Sequence, residues 1–199
     1  MKKIIVIYIA LTLLLSSCLE SKNNKSAESN SSAGTTKKQD RSLAAKKYSL
    51  SKEGYGPVKI GMSIQQASKA LGIELKSPNP EQDEPYCFYV YPNGDYKDIG
   101  FMVTEQKISR IEIRKGDNAN SSNIKTKEGI GIGSTTEEVK LAYRDLSIDP
   151  HPYSPPNAKY LIFKKGQEFQ IIFETDDQGV VEAVRVGKKP EVQYIEGCA

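Results

Sequence analysis

Six short runs rich in apolar, β-branched and aromatic residues are separated by polar and turn-forming residues, a pattern typical of β-strands. The runs are YCFYVY (86–91), DIGFMV (98–103), KISRIEIR (107–114), KYLIFKK (159–165), EFQIIFE (168–174) and VVEAVRV (180–186). The links within each group of three, among them PNGD and TDDQG, have hairpin turn chemistry. The pattern therefore predicts two antiparallel meanders of three strands each.

A capping box precedes each meander: Ser63 stands three residues before Gln66, and Thr135 three residues before Glu138. Apolar residues recur at helical spacing after each box, and Gly72 is a stop signal for the first helix. A short helix is thus predicted in front of each meander.

The two parts of the chain are similar to each other. PVKIGMSIQQASKALG (57–72) aligns with GIGIGSTTEEVKLAYR (129–144) at an offset of 72, and the last strands of the two meanders align at 73. Solenoid repeats are shorter, about 20–50 residues. The predicted fold class is α+β, with two tandem units (48–122 and 123–199), each a short helix followed by a three-stranded antiparallel meander.

The glycine-rich stretch GIGIGSTTEEV (129–139) invites a nucleotide-binding interpretation. A Walker loop ends in Gly-Lys-Ser/Thr, whereas this stretch has Gly133-Ser134-Thr135 without a lysine. The two glutamates that follow would repel a phosphate at the helix N-terminus. We interpret the stretch as a helix start, and no cofactor is predicted.

The N-terminus has the pattern of a secretory signal peptide. Lys2 and Lys3 precede an apolar run over 4–15, which is too short for a comfortable membrane span. LSSC at 15–18 resembles the lipobox of bacterial lipoproteins, which implies that 1–17 is cleaved off and Cys18 is acylated, for example with palmitate. The alternative is an ordinary cleaved signal followed by a chance cysteine.

Leu19, rather than Asp, follows Cys18, and in bacteria with two membranes the resemblance then implies the outer membrane, facing the periplasm or the cell surface. The stretch 18–47 is rich in Ser, Asn and Lys and is predicted to be a disordered tether. Excluding 1–47, the chain has 19 basic and 22 acidic residues, so its charge does not favour nucleic acid as a partner.

Two further cysteines, Cys87 and Cys198, are predicted to form a disulfide, because disulfides persist in exported proteins. The only histidine, His151, lies in a Pro-rich loop and is interpreted as an exposed loop residue. Adjacent carboxylates occur only in loops, turns and a helix start, where solvated charge is expected. No catalytic residue and no metal site are predicted.

Tyrosines are concentrated around the first hairpin. If Tyr86, Phe88 and Val90 face the core, Tyr89 and Tyr91 face solvent or a partner, because alternate strand residues point to opposite sides. Tyr is enriched at binding hot spots, although packing against the helices or the other unit is the competing interpretation. The candidate partner-binding residues are Tyr89, Tyr91, Tyr96 and Tyr153.

The helix entry Gly61-Met62-Ser63 and the duplicated units resemble the β-lactamase-inhibitor-protein-like fold and small outer-membrane-assembly lipoproteins over roughly 55–190. The second unit departs from the motif at Gly133-Ser134-Thr135, which lacks the methionine. The resemblance implies protein binding. We therefore expect a lipid-anchored, non-catalytic protein-binding module of the cell envelope. The alternatives are an inhibitor or immunity protein against a periplasmic or wall-cleaving hydrolase, and an accessory lipoprotein of outer-membrane assembly.

Overall fold

The computed structural model of this protein describes residues 48–94, 99–116, 123–153, 156–163 and 168–198. The predicted signal peptide, the acylated Cys18 and the tether all precede residue 48, and Tyr96 falls between two described stretches. These predictions therefore lie outside the described residues.

Eleven strands and two α-helices occur in the described residues. The strands are β1 (Leu50–Ser51), β2 (Gly54–Tyr55), β3 (Val58–Lys59), β4 (Leu75–Lys76), β5 (Cys87–Pro92), β6 (Gly100–Thr104), β7 (Lys107–Arg114), β8 (Leu146–Pro150), β9 (Lys159–Phe163), β10 (Phe169–Thr175) and β11 (Val181–Lys188). The helices are α1 (Ile64–Leu71) and α2 (Thr136–Ala142), and short 3-10 turns span Pro80–Gln82 and Glu191–Gln193.

The predicted fold of two tandem α+β units is wrong, because the protein is mostly β and its main sheet is continuous. Eight antiparallel strands follow the order β4-β5-β6-β7-β11-β10-β9-β8, and β1 to β3 form a separate three-stranded sheet. β7 and β11, the two longest strands, pair at the centre, where Glu112 lies opposite Arg185 and Ile113 opposite Val184. This pairing removes an open edge that each meander would otherwise expose.

Five strands were missed from the sequence, namely β1 to β4 and β8. β1 to β4 contain two residues each, too few to show an alternating pattern. β8 ends at Pro150, so its last residues occupy the start of the predicted Pro-rich loop. It is one of the two edge strands of the main sheet, and a proline is tolerated there because one side of the strand needs no partner.

Both predicted capping boxes are confirmed. The side chain of Ser63 accepts a hydrogen bond from the N–H of Gln66, and that of Thr135 accepts one from the N–H of Glu138, both at 3.2 Å. The side chains of Gln66 and Glu138 each accept in return from the N–H of the cap residue. Gly72 ends α1 with a φ of 71°, a left-handed conformation that favours glycine. The GIGIGSTTEEV stretch accordingly begins a helix.

The main sheet has two chemically different faces. The first face is apolar and packs with both helices and the small sheet in one core, which includes Phe101, Ile111, Val184, Phe173, Leu71, Val139 and Leu50. The second face carries charged and aromatic side chains. Residues 189–198, which we name the crossing segment, contact this second face. The candidate site lies between this segment and the second face.

Candidate functional site

The charged residues of the second face come from the polar positions of three central strands. Arg110, Glu112 and Arg114 alternate along β7 with the core residues Ile111 and Ile113. From the neighbouring strands, Arg185 of β11 and Glu174 of β10 join the same face. The two arginines Arg110 and Arg185, which we name the arginine pair, are 0% and 1% exposed.

These side chains form one connected network. Glu112 Oε2 accepts a hydrogen bond from Arg110 Nε at 2.7 Å, and Arg110 Nη2 also contacts it. The other carboxylate oxygen, Glu112 Oε1, accepts from Arg114 Nε at 3.2 Å. Glu174 lies 3.6 Å from Arg185 and 4.0 Å from Arg114. Each buried charge therefore faces an opposite charge, which burial requires.

The network keeps Glu112 ionised although it is buried. Burial by itself raises the pKa of the Glu112 carboxyl. The charges and hydrogen bonds of Arg110 and Arg114 together lower it by more than burial raises it, so the pKa lies below its ordinary value of 4.5. For Arg185, burial has a larger effect on the pKa than the neighbouring carboxylates have. Burial lowers the pKa of its guanidinium, and the like charge of Arg110 lowers it too.

The low pKa of Glu112 gives stability a pH dependence of definite sign. As the pH falls, the unfolded chain binds the proton first, so the stability that Glu112 contributes is present above about pH 4.5 and is lost as the pH falls through the folded pKa. We expect the free energy of unfolding of the native chain, relative to Glu112→Gln, to be constant above about pH 4.5 and to fall below it. Urea unfolding of both chains between about pH 7 and pH 3 checks this, and a difference that grows on acidification would contradict it.

His151 is not the exposed loop residue that its sequence context predicts, because its side chain is only 6% exposed. Its Nδ1 accepts a hydrogen bond from the N–H of Tyr153 at 3.1 Å, so Nε2 carries the hydrogen and donates to Glu174 Oε1 at 3.0 Å. Both ring nitrogens are therefore engaged in positioning the loop that carries Tyr153. Among the described residues, no group of three His, Cys, Asp or Glu side chains could hold a metal ion.

The crossing segment is anchored to the arginine pair through its main chain. The carbonyl oxygen of Tyr194 accepts from Arg110 Nη1 at 2.6 Å and from Arg185 Nη1 at 3.0 Å. Val192 is fully buried in a small cluster with Tyr160, Ile162 and Ile172. Buried arginines and a buried valine thus hold the middle of the segment on the sheet.

The predicted disulfide between Cys87 and Cys198 is confirmed, and it ties the far end of the crossing segment to β5. Gly197 lies directly on Tyr89, since a Cβ at this glycine would stand 3.0 Å from the Tyr89 hydroxyl oxygen. Gly197 also has a φ of 73°. The left-handed backbone favours glycine, and a Cβ here would be in tight contact with the Tyr89 side chain.

Exposed aromatic and apolar side chains are concentrated along this segment. Among the described residues six large hydrophobic side chains are exposed, and four of them lie on the segment or next to its contacts. We name these four the aromatic surface: Tyr86 (84% exposed), Tyr153 (63%), Tyr194 (40%) and Ile195 (39%). Tyr153 joins the segment by donating its hydroxyl hydrogen to Glu196 Oε1 at 2.9 Å, and Tyr86 precedes the disulfide-bonded Cys87.

The predicted partner-binding tyrosines lie in different environments. Tyr153 belongs to the aromatic surface, whereas Tyr89 and Tyr91 are half-buried on the second face, where their rings stack with centroids 6.1 Å apart. Tyr89 donates to Glu112 Oε2 at 3.3 Å, and burial together with the charge of Glu112 raises the pKa of its hydroxyl. Tyr86, assigned to the core side by alternation, precedes β5 and is exposed.

Sequence reasoning missed the arginine pair and three members of the aromatic surface, Tyr86, Tyr194 and Ile195. The arginines stand at alternate positions of KISRIEIR and VVEAVRV, so their shared face could have been read from the strand period. The strand period does not show that the two arginines are buried, because their burial depends on the crossing segment. No local pattern marks Tyr194 or Ile195 as part of a surface.

The described residues contain no helix long and apolar enough to cross a membrane. No protein-family model and no curated protein matches this chain. A similar solved structure is the crystal structure of a DUF4309 family protein, YjgB, from Bacillus subtilis subsp. subtilis strain 168. The two chains are 13% identical, the match covers 74% of this chain and 91% of that one, and the TM-score is 0.43. No residue or function is carried over at this similarity.

Proposed function

We propose that this protein is a lipid-anchored, non-catalytic module of the bacterial cell envelope that binds another protein through its aromatic surface. The observation that carries the proposal is the grouping of Tyr86, Tyr153, Tyr194 and Ile195 along the crossing segment. Tyrosine is enriched at binding hot spots, since its ring buries a large area and its hydroxyl still finds a polar partner.

The contacts that hold the crossing segment and the Tyr153 loop in place also favour a binding function. The arginine pair, Val192 and the disulfide hold the crossing segment, and His151 holds the loop of Tyr153. A surface that is ordered before its partner arrives loses less conformational entropy on binding.

Charge next to the aromatic surface indicates the chemistry of the partner. Glu84 stands two residues before Tyr86, Glu196 follows Ile195, and both glutamates are exposed. The complementary partner is a protein surface with Lys or Arg beside an apolar side chain. The anchor in this proposal is the acylated Cys18, and the tether over 18–47 lets the binding module reach its partner from the membrane.

A crosslinking capture from native envelopes tests the proposal, with the lipidated protein compared with Cys18→Ala. We expect a stoichiometric protein partner that depends on the anchor. We also expect Tyr153→Ala to weaken capture about 30-fold, as the loss of a hot-spot tyrosine would.

Leu141→Ala is the matched control for the capture, because Leu141 is 83% exposed but belongs to α2, on the other side of the sheet. The Leu141→Ala variant should capture the partner protein as well as the native chain does. Equal loss with Leu141→Ala and Tyr153→Ala would contradict binding through the aromatic surface. Absence of any captured protein would overturn the proposed function.

A further inference from the structure

The crossing segment consists of two parts that are held in different ways. The inner part, 189–194, contains the buried Val192 and the Tyr194 carbonyl that accepts from the arginine pair. Its turn is closed by hydrogen bonds from the Gln193 N–H to the Pro190 carbonyl and from the Tyr194 N–H to the Glu191 carbonyl. The inner part is therefore held by side chains of the sheet itself.

The outer part, 195–198, has much weaker noncovalent support. Ile195 is 39% exposed, and Glu196 is exposed and bonded to the hydroxyl of Tyr153. A hydrogen bond between exposed side chains contributes little, because water competes for both groups. The bond between Cys87 and Cys198 is thus the principal constraint on the outer part.

The outer part also covers one end of the charged network. Gly197 packs on the ring and hydroxyl of Tyr89, with a notional Cβ 3.3 Å from Cε2, and Tyr89 in turn donates to Glu112. Departure of the outer part would expose Tyr89 and would break the hydrogen bond between Glu196 and Tyr153. Both the aromatic surface and the cover over the network depend on the same four residues.

We propose that the Cys87–Cys198 disulfide is a redox latch of the aromatic surface, an inference that rests on the proposed function. A dithiol reductant gives two electrons and two protons to the disulfide and becomes a disulfide itself, while Cys87 and Cys198 become thiols. The outer part then leaves the second face, and it takes with it Ile195 and Glu196, so that the aromatic surface loses one of its members and the carboxylate that holds the Tyr153 hydroxyl. The inner part stays in place, because its anchors contain no sulfur.

Limited proteolysis with a Glu-specific protease tests the latch in the full chain. The cut after Glu196 reports on the outer part, and the cut after Glu191 reports on the inner part of the same molecule. We compare the oxidised chain with the chain reduced by dithiothreitol and alkylated, and with the double variant Cys87→Ser and Cys198→Ser, whose serines introduce no alkyl group. Opening of the latch should accelerate the cut after Glu196 about tenfold or more and leave the cut after Glu191 slow.

Capture of the envelope partner is measured on the same three samples. Faster cutting after Glu196 together with lost capture supports the latch. An unchanged cutting rate after Glu196 overturns it, whatever the capture shows, and faster cutting with full capture overturns its control of binding. Failure of even the oxidised chain to capture a protein overturns the proposed function instead, because the cutting rates do not depend on a partner.

Discussion

Replacing Arg110 with alanine is expected to lower the free energy of unfolding by about 3–5 kcal/mol, the typical cost of removing one partner of a buried ion pair. The guanidinium is fully buried and donates to Glu112 and to the carbonyl of Tyr194. Its removal leaves the Glu112 carboxylate without its nearest cation and the crossing segment without one of its two arginine anchors. Urea denaturation measures the effect.

Arg144→Ala is the matched control for this prediction, because Arg144 is exposed and the substitution removes the same side chain. Its effect should stay within about 0.5 kcal/mol. The double variant Arg110→Ala, Glu112→Ala should lose less than the sum of the two single variants, since the two residues are in direct contact. Additive effects would show that the pair is not coupled as the hydrogen bonds indicate.

Removal of the Cys87–Cys198 disulfide is expected to lower the free energy of unfolding by about 4–5 kcal/mol on the chain-entropy model. The cysteines are 111 residues apart in sequence, so the bond closes a loop that contains most of the strands. The effect acts on the unfolded chain, which gains freedom when the loop opens. It is distinct from the local opening at 195–198, which concerns the folded protein.

Urea denaturation of the oxidised chain and of the double variant Cys87→Ser, Cys198→Ser measures this second effect. The single variant Cys87→Ser is the control and should match the double variant, because either substitution removes the bond. A loss below about 1 kcal/mol would contradict the loop-closure account and would mean that the unfolded chain is already constrained without the bond.

Local sequence signals predicted the short-range features well. The capping boxes at Ser63 and Thr135 are confirmed because a cap is made by residues three apart, whatever the rest of the chain does. The disulfide could be predicted because Cys87 and Cys198 were the two cysteines left after Cys18 was assigned to the lipid. Neither prediction required knowledge of the fold.

The partner of each strand could not be predicted in the same way. Alternation in β7 and β11 shows which residues share a face, but it does not say that the two strands pair with each other. That choice is made by long-range contacts, and it turned two predicted units into one sheet. It also placed Glu112 opposite Arg185.

The sequence by itself determined the strand faces, the helix caps and the cysteine pair, because each depends on local spacing or on composition. Only the tertiary structure decided that Arg110 and Arg185 are buried and that Tyr86, Tyr153, Tyr194 and Ile195 are exposed along the crossing segment. The physical reason is that burial and exposure on the second face depend on where the crossing segment lies. The position of the crossing segment is set by the arginine–carbonyl hydrogen bonds, by the burial of Val192 and by the disulfide. These interactions join residues far apart in the chain.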